Sequence, residues 1–172
     1  EKIIATNNLL GVNFLHEGSR ASRAIARVVL PVPGGSRLGT GFMVARRVMT
    51  THNHVLSTPQ EAEGATLEFD FFTREACANG PITRFRLQPS LLFLTDDSLD
   101  FSVVAVEETN ADGLRIGDRG WHPLIAESGK AVVGERVNII QHPNGEPQRV
   151  AVHENTIVDV SGNFVHYVTD TM

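Results

Sequence analysis

The chain has 172 residues, a net charge of −5 and no block of like charge, so it lacks the electrostatic footprint of a nucleic-acid binder. Hydrophobic residues make up 41% and charged residues 20%, which excludes a disordered chain and fits one ordinary domain or two small packed barrels. A lone cysteine, Cys77, excludes an internal disulfide and a cysteine-rich metal cage, and no apolar run reaches the roughly 18 residues of a bilayer span.

The opening stretch, "EKIIATNNLLGVNFLHEG", has no charged-then-apolar-then-small leader pattern, so the expectation is a soluble, cytoplasmic protein. Residues 16–29 read as a helix. Ala21, Ala24, Ile25 and Val28 recur at three- and four-residue steps, and Arg20, Arg23 and Arg27 share another face, either solvated or docked on another domain. "LPVPGG" at 30–35 should stop that helix. After it the pattern is β throughout. "TLEFDFF" at 66–72 alternates, with Leu67, Phe69 and Phe71 on one side. "RFRLQP" at 84–89 alternates as well, and "FSVVAVE" at 101–107 reads as a strand buried on both faces. The polar, glycine-rich "ETNADGLRIGDRG" at 108–120 reads as a linker. Further strands follow at 136–143, 148–162 and 163–171, with turns at Pro143-Asn144-Gly145 and Ser161-Gly162-Asn163. Many short strands with turn punctuation point to an all-β barrel or sandwich.

Two polar insertions break the apolar pattern. In "VMTTHNHVL", His52 and His54 sit where a strand should be hydrophobic. Three readings compete: a metal site, a pair of satisfied core histidines, or a catalytic base. Residues two apart on a strand share a face, so two ligands are conceivable. Zinc needs three or four, however, and the histidines at 16, 122, 142, 153 and 166 show no ligand spacing. The second insertion is Asp100, at the head of the apolar strand 101–107. A carboxylate there is costly to bury without a partner, and an imidazole N–H would satisfy it. Its bland alternative is a carboxylate capping a turn.

The segments "GTGFMVARRVMTTHNHVL", "LDFSVVAVE", "VNIIQHPNGEPQRVAV" and "HYVTDTM", in this order, resemble the bacterial trypsin-like serine peptidases. The resemblance covers residues 24–172. It is to the chymotrypsin-fold branch of glutamyl endopeptidases and HtrA-like proteases, and most of all to trypsin-like domains found beside effector-associated domains. It implies two six-stranded antiparallel β-barrels with an N-terminal helix. Residues 1–30 would be the helical segment, 31–107 the first barrel, 108–120 the inter-barrel linker, and 121–172 the start of a second barrel left incomplete in this chain. It further implies that His54 is the catalytic base, Asp100 the triad carboxylate, and His52 a variable position. No cofactor or metal is implied. His166 falls near the wall of the substrate pocket, where a histidine would meet an acidic side chain.

The family's nucleophile motif, Gly-x-Ser-x-Gly, is absent from residues 1–172. Ser161, in a turn, and Cys77, in the polar "TREACANGP", are poor substitutes. The expectation is therefore a serine endopeptidase fragment supplying His and Asp, with a complementary C-terminal segment carrying the serine. Its partners would be a peptide or protein substrate and an effector or regulatory domain, with no nucleic acid and no membrane. The alternative from another class is a non-catalytic module that binds peptide in the same groove.

Overall fold

A computed structural model describes residues 10–73, 81–127, 129–152 and 155–168. Helix α1 spans Asn13–Ser22, not 16–29, and Ile25–Val32 form strand β1. The reason is a competing period. Ala24, Ala26, Val28 and Leu30, every second residue, are buried, and the strand's β-branched Ile25, Val28, Val29 and Val32 suit a pleated surface. Ala21, Ala24, Ile25 and Val28 fit a helical spacing as well. Pro33-Gly34 does not end a helix but turns β1 into β2 (Gly35–Ala45), with Gly34 at φ 85°. The arginine stripe dissolves accordingly. Arg23 donates to the Asp118 carbonyl at 2.6 Å, and Arg27 points from β1 to the carboxylate of Glu68.

The remaining strands of the first sheet are β3 (Val48–Thr51), β4 (Thr66–Phe69), β5 (Thr83–Arg86), β6 (Phe93–Asp96) and β7 (Phe101–Ala105), with helix α2 (Pro59–Gly64) between β3 and β4. They pair antiparallel in the order β5-β4-β1-β2-β3-β7-β6. Past the end of β5 the chain reaches over to the end of β7: Leu87 bridges Val106, and Gln88 N–H donates to the Ala105 carbonyl at 2.7 Å. No closed barrel forms among the described residues. Val28, Met43, Met49, Leu56, Leu67, Phe69, Phe85 and Val104 fill the core, with Phe69 and Phe85 edge-on at 5.8 Å. β4 hides Glu68 as well as Leu67 and Phe69, so its alternation does not separate core from solvent. In β7, Phe101 and Val103 are only half-buried, so that strand is not buried on both faces.

Residues 108–120 pack closely instead of spanning freely. Ile116, in the 3₁₀ turn Ile116–Arg119, is fully buried, and Arg119 donates to both oxygens of Asp70 at 2.8 and 2.7 Å. Beyond them lie two hairpins, β8 (Ile139–Gln141) with β9 (Arg149–Ala151), and β10 (Thr156–Ser161) with β11 (Phe164–Val168). The turn Pro143–Gly145 clasps this region onto the first sheet. Arg27 donates to the Gly145 carbonyl at 2.6 Å, His142 N–H to Thr40 Oγ1 at 2.9 Å, and Gln148 N–H to the Phe71 carbonyl at 2.8 Å. Val158, Val160, Phe164, Val165, Tyr167 and Val168 of the β10–β11 hairpin all remain exposed.

Candidate active site

β3 ends at Thr51, whose hydroxyl donates to the Thr40 carbonyl of β2 at 2.8 Å. The chain then turns on one carbonyl, that of His52, which accepts from Val55 N–H and Leu56 N–H, both at 3.2 Å. Val55 and Leu56 are driven into the core, 2% and 0% exposed, and the two histidines are left outside. Gly39 makes the seat for this turn, because a Cβ there would lie 2.6 Å from Val55 Cγ2.

Helix α2 pins the far side of the same turn. Thr58 caps it, accepting from Glu61 N–H at 3.2 Å, with Pro59 at the first helical position. Glu61 reaches back to accept from the Ser57 amide and hydroxyl, both at 2.8 Å, and from Arg37 at 2.8 Å. Burial opposes ionisation of Glu61, but these donors outweigh it and hold the carboxyl below its ordinary range. The sequence carried this helix start in plain form, since Thr-Pro-x-Glu is a capping signature.

Asp100 arrives from the other neighbour of β3. Asp96 Oδ1 accepts from Ser98 Oγ at 2.6 Å and Leu99 N–H at 2.9 Å, folding the turn between β6 and β7. Asp100 closes that turn at φ 50°, a left-handed conformation that aspartate tolerates better than most residues. Because β3 and β7 pair with Thr51 opposite Ser102, the two loops lie side by side. Asp100 Oδ2 lies 2.8 Å from His54 Nδ1, and Oδ1 accepts from His54 N–H at 3.0 Å. An ionised carboxylate only accepts, so Nδ1 carries a proton, and in the neutral ring that leaves the lone pair on Nε2. Partial burial pushes the Asp100 carboxyl up, but the two His54 donors and the nearby His52 more than offset this and hold it below the usual range. The His54 side chain is 67% exposed, and the His52 ring stacks on it at 4.9 Å and 16°.

The structure thus brings His54 and Asp100 together. It carries His166 elsewhere, on β11 opposite Asp159, and no described hydrogen bond or ion pair links it to either residue. Ser161 ends β10 at the hairpin turn, and Cys77 lies outside the described residues. Among the described residues no three His, Cys, Asp or Glu side chains gather as a metal site. Reading the sequence missed Asn53, Thr95 and Ser102, whose polar atoms run behind the His54 turn; a serine inside the apolar "FSVVAV" was the available signal.

The family described as trypsin-like peptidase domain matches residues 39–172, and this chain belongs to it. Protein y4fB of Sinorhizobium fredii (strain NBRC 101917 / NGR234) is 39% identical over 186 residues, covering 99% of this chain and 28% of that protein. The chain spans well under half the length of the curated relatives it matches, 28% of y4fB and 40% of a second protein. The fold is similar to that of Rv3671c from M. tuberculosis, with a TM-score of 0.57 at 15% identity over 95% of this chain and 69% of that one. It is also similar to the HtrA-type protease AlgW, with a TM-score of 0.54 at 20% identity over 87% of this chain and 41% of that one. Membership of this peptidase family supports a serine peptidase function in general terms.

Proposed function

We propose that this chain supplies the proton-handling half of a serine endopeptidase site. His54 takes the proton of an attacking serine through Nε2 and returns it to the leaving amine. Asp100 holds the tautomer and stabilises the imidazolium formed on the way. The observation that carries this reading is the double grip of Asp100 on His54, at 2.8 Å through Nδ1 and 3.0 Å through the backbone amide. An ordinary turn-capping aspartate has no reason to use both oxygens on one histidine.

The serine and the oxyanion-binding amides come from a segment outside residues 1–172, on the same polypeptide or on a companion chain. The exposed apolar residues of the β10–β11 hairpin support this, because such a ribbon needs a cover, and completing a second barrel would provide it. The substrate is a peptide or protein, with His166 facing an acidic side chain. The setting is the bacterial cytoplasm, with an effector or regulatory domain attached, and no cofactor takes part.

A fluorophosphonate probe on the full-length protein tests the reading. We expect a single labelled serine, with labelling strongly slowed in His54→Ala. No labelling, or labelling untouched by that substitution, sinks it. Peptide binding that persists without labelling would instead favour the non-catalytic module.

A further inference from the structure

Ser102 is the one polar side chain inside β7, and it is fully buried. Packing alone would place a small apolar residue there, so its hydroxyl needs a reason. Ser102 Oγ lies 2.6 Å from the Leu56 carbonyl, which can only accept, so the single Ser102 proton goes there. Thr95 Oγ1 lies 2.7 Å from Ser102 Oγ and must therefore be the donor in that contact. The Phe101 carbonyl, at 3.1 Å, is its longer second acceptor. With its proton spent, Thr95 Oγ1 can only accept from its third neighbour, the Asn53 side-chain amide at 2.7 Å.

The direction is thus fixed from end to end: Asn53 to Thr95, Thr95 to Ser102, Ser102 to Leu56. The chain of bonds leaves the His54 turn at residue 53 and re-enters it at residue 56, bracketing His54. Its middle members stand on β6 and β7, the strands flanking the Asp100 turn, and Thr50 Oγ1 adds a bond to the Ser102 carbonyl at 3.1 Å. We infer that Asn53, Thr95 and Ser102 are positioning residues that lock the His54 turn to the strands presenting Asp100, and so set the imidazole–carboxylate distance. The inference rests on the serine-peptidase reading for its catalytic meaning, but not for its geometry.

Two readouts on the full-length protein keep the two apart. The first is the solvent-exchange lifetime of the His54 Nδ1 proton, followed by NMR in nitrogen-labelled protein; it needs no activity. The second is peptide hydrolysis. In Thr95→Val and Ser102→Ala we expect the Nδ1 proton to exchange at least about tenfold faster. We also expect kcat to fall by about ten- to a hundredfold with KM unchanged, the scale of a displaced catalytic group. Thr95→Ser, which keeps the hydroxyl, should restore both. Asn53→Ala, at the outer end of the chain, carries the test if Ser102→Ala does not fold. Lifetimes and kcat within twofold of the parent in Thr95→Val and Asn53→Ala overturn the inference, as does loss of both in Thr95→Ser. If the parent neither labels nor hydrolyses peptide, the peptidase reading fails, and the Nδ1 lifetimes alone decide whether these residues position His54.

Discussion

Asp100 uses both carboxylate oxygens on His54, and the two bonds do different work. Oδ1 on the backbone amide ties down the turn, while Oδ2 on Nδ1 sets the tautomer. Asp100→Asn keeps the shape but lets an amide N–H face the ring, favouring a proton on Nε2 instead. We expect kcat to fall by about 10⁴-fold in steady-state peptide hydrolysis, with an unchanged circular dichroism spectrum. A second residue-scale case is Glu68, buried at 6% exposure between Arg27 and Arg84. Its carboxylate accepts from Arg27 Nε at 3.0 Å and Arg84 Nε at 2.9 Å, and Arg27 Cζ lies over the Phe71 ring, 3.8 Å from its centroid. Glu68→Ala strands the half-buried Arg27 charge, and urea denaturation should show a loss of about 3 kcal/mol. Neither partner pairing was readable along the chain, because residues 27, 68 and 84 meet only once β1, β4 and β5 lie side by side.

At the scale of elements, "GTG" at 39–41 matters as a place for other residues to enter. Val55 packs against Gly39 so closely that Gly39→Ala must push the His54 turn outward. Overpacking of this kind costs about 1–3 kcal/mol, and the displaced imidazole should lose catalysis further. Thermal melts and hydrolysis rates on the same samples check both effects. The helix expected over 16–29 shows where element reading fails. Alanine fits a period of 3.6 or of 2 equally well, so residues 24–28 read as helix, and the pairing of β2 and β4 on both sides of β1 overturns that reading. The strands at 66–69 and 101–105 were legible because their β-branched and aromatic residues suit nothing else. Four-residue β6 was not, since "FLTD" carries too few residues to show a period.

The molecule as a whole depends on the clasp at 142–148, and that clasp is sensitive to acid. His142 is 3% exposed and stacked on Phe71, with Nδ1 donating to the Glu146 carbonyl at 2.9 Å and no hydrogen-bond partner for Nε2 among the described residues. Burial pushes its imidazole below the ordinary value, helped by Arg27; the Glu146 bond and Glu68 only partly oppose this. Both states are neutral well above pH 6.5, so His142 adds no slope there. Below about 6.5 the unfolded chain takes up the proton first, and stability falls until the folded-state pKa is passed. Asp100 and Glu61, held low, act later: their contribution is intact above about pH 4 and is lost as pH falls through their lowered values. Denaturant melts at pH 7 and pH 5.5 should therefore differ, by no more than about 1.4 kcal/mol per pH unit from this group. His142→Gln should flatten that slope; an unchanged slope would place its origin elsewhere.

Composition and pattern were enough, by themselves, to determine that this chain folds, that it is mostly β, and that His54 and Asp100 are polar residues set beside apolar runs. These are local properties, carried by side-chain type and by spacing within a few residues. Tertiary structure alone decided that residues 54 and 100 touch, that Arg27 is a half-buried strand residue and not part of a solvated helix face, and that Asn53, Thr95 and Ser102 form one directed line of hydrogen bonds. Each of those depends on which strands are neighbours. Strand order comes from the packing of the whole core, and no short window of sequence contains it.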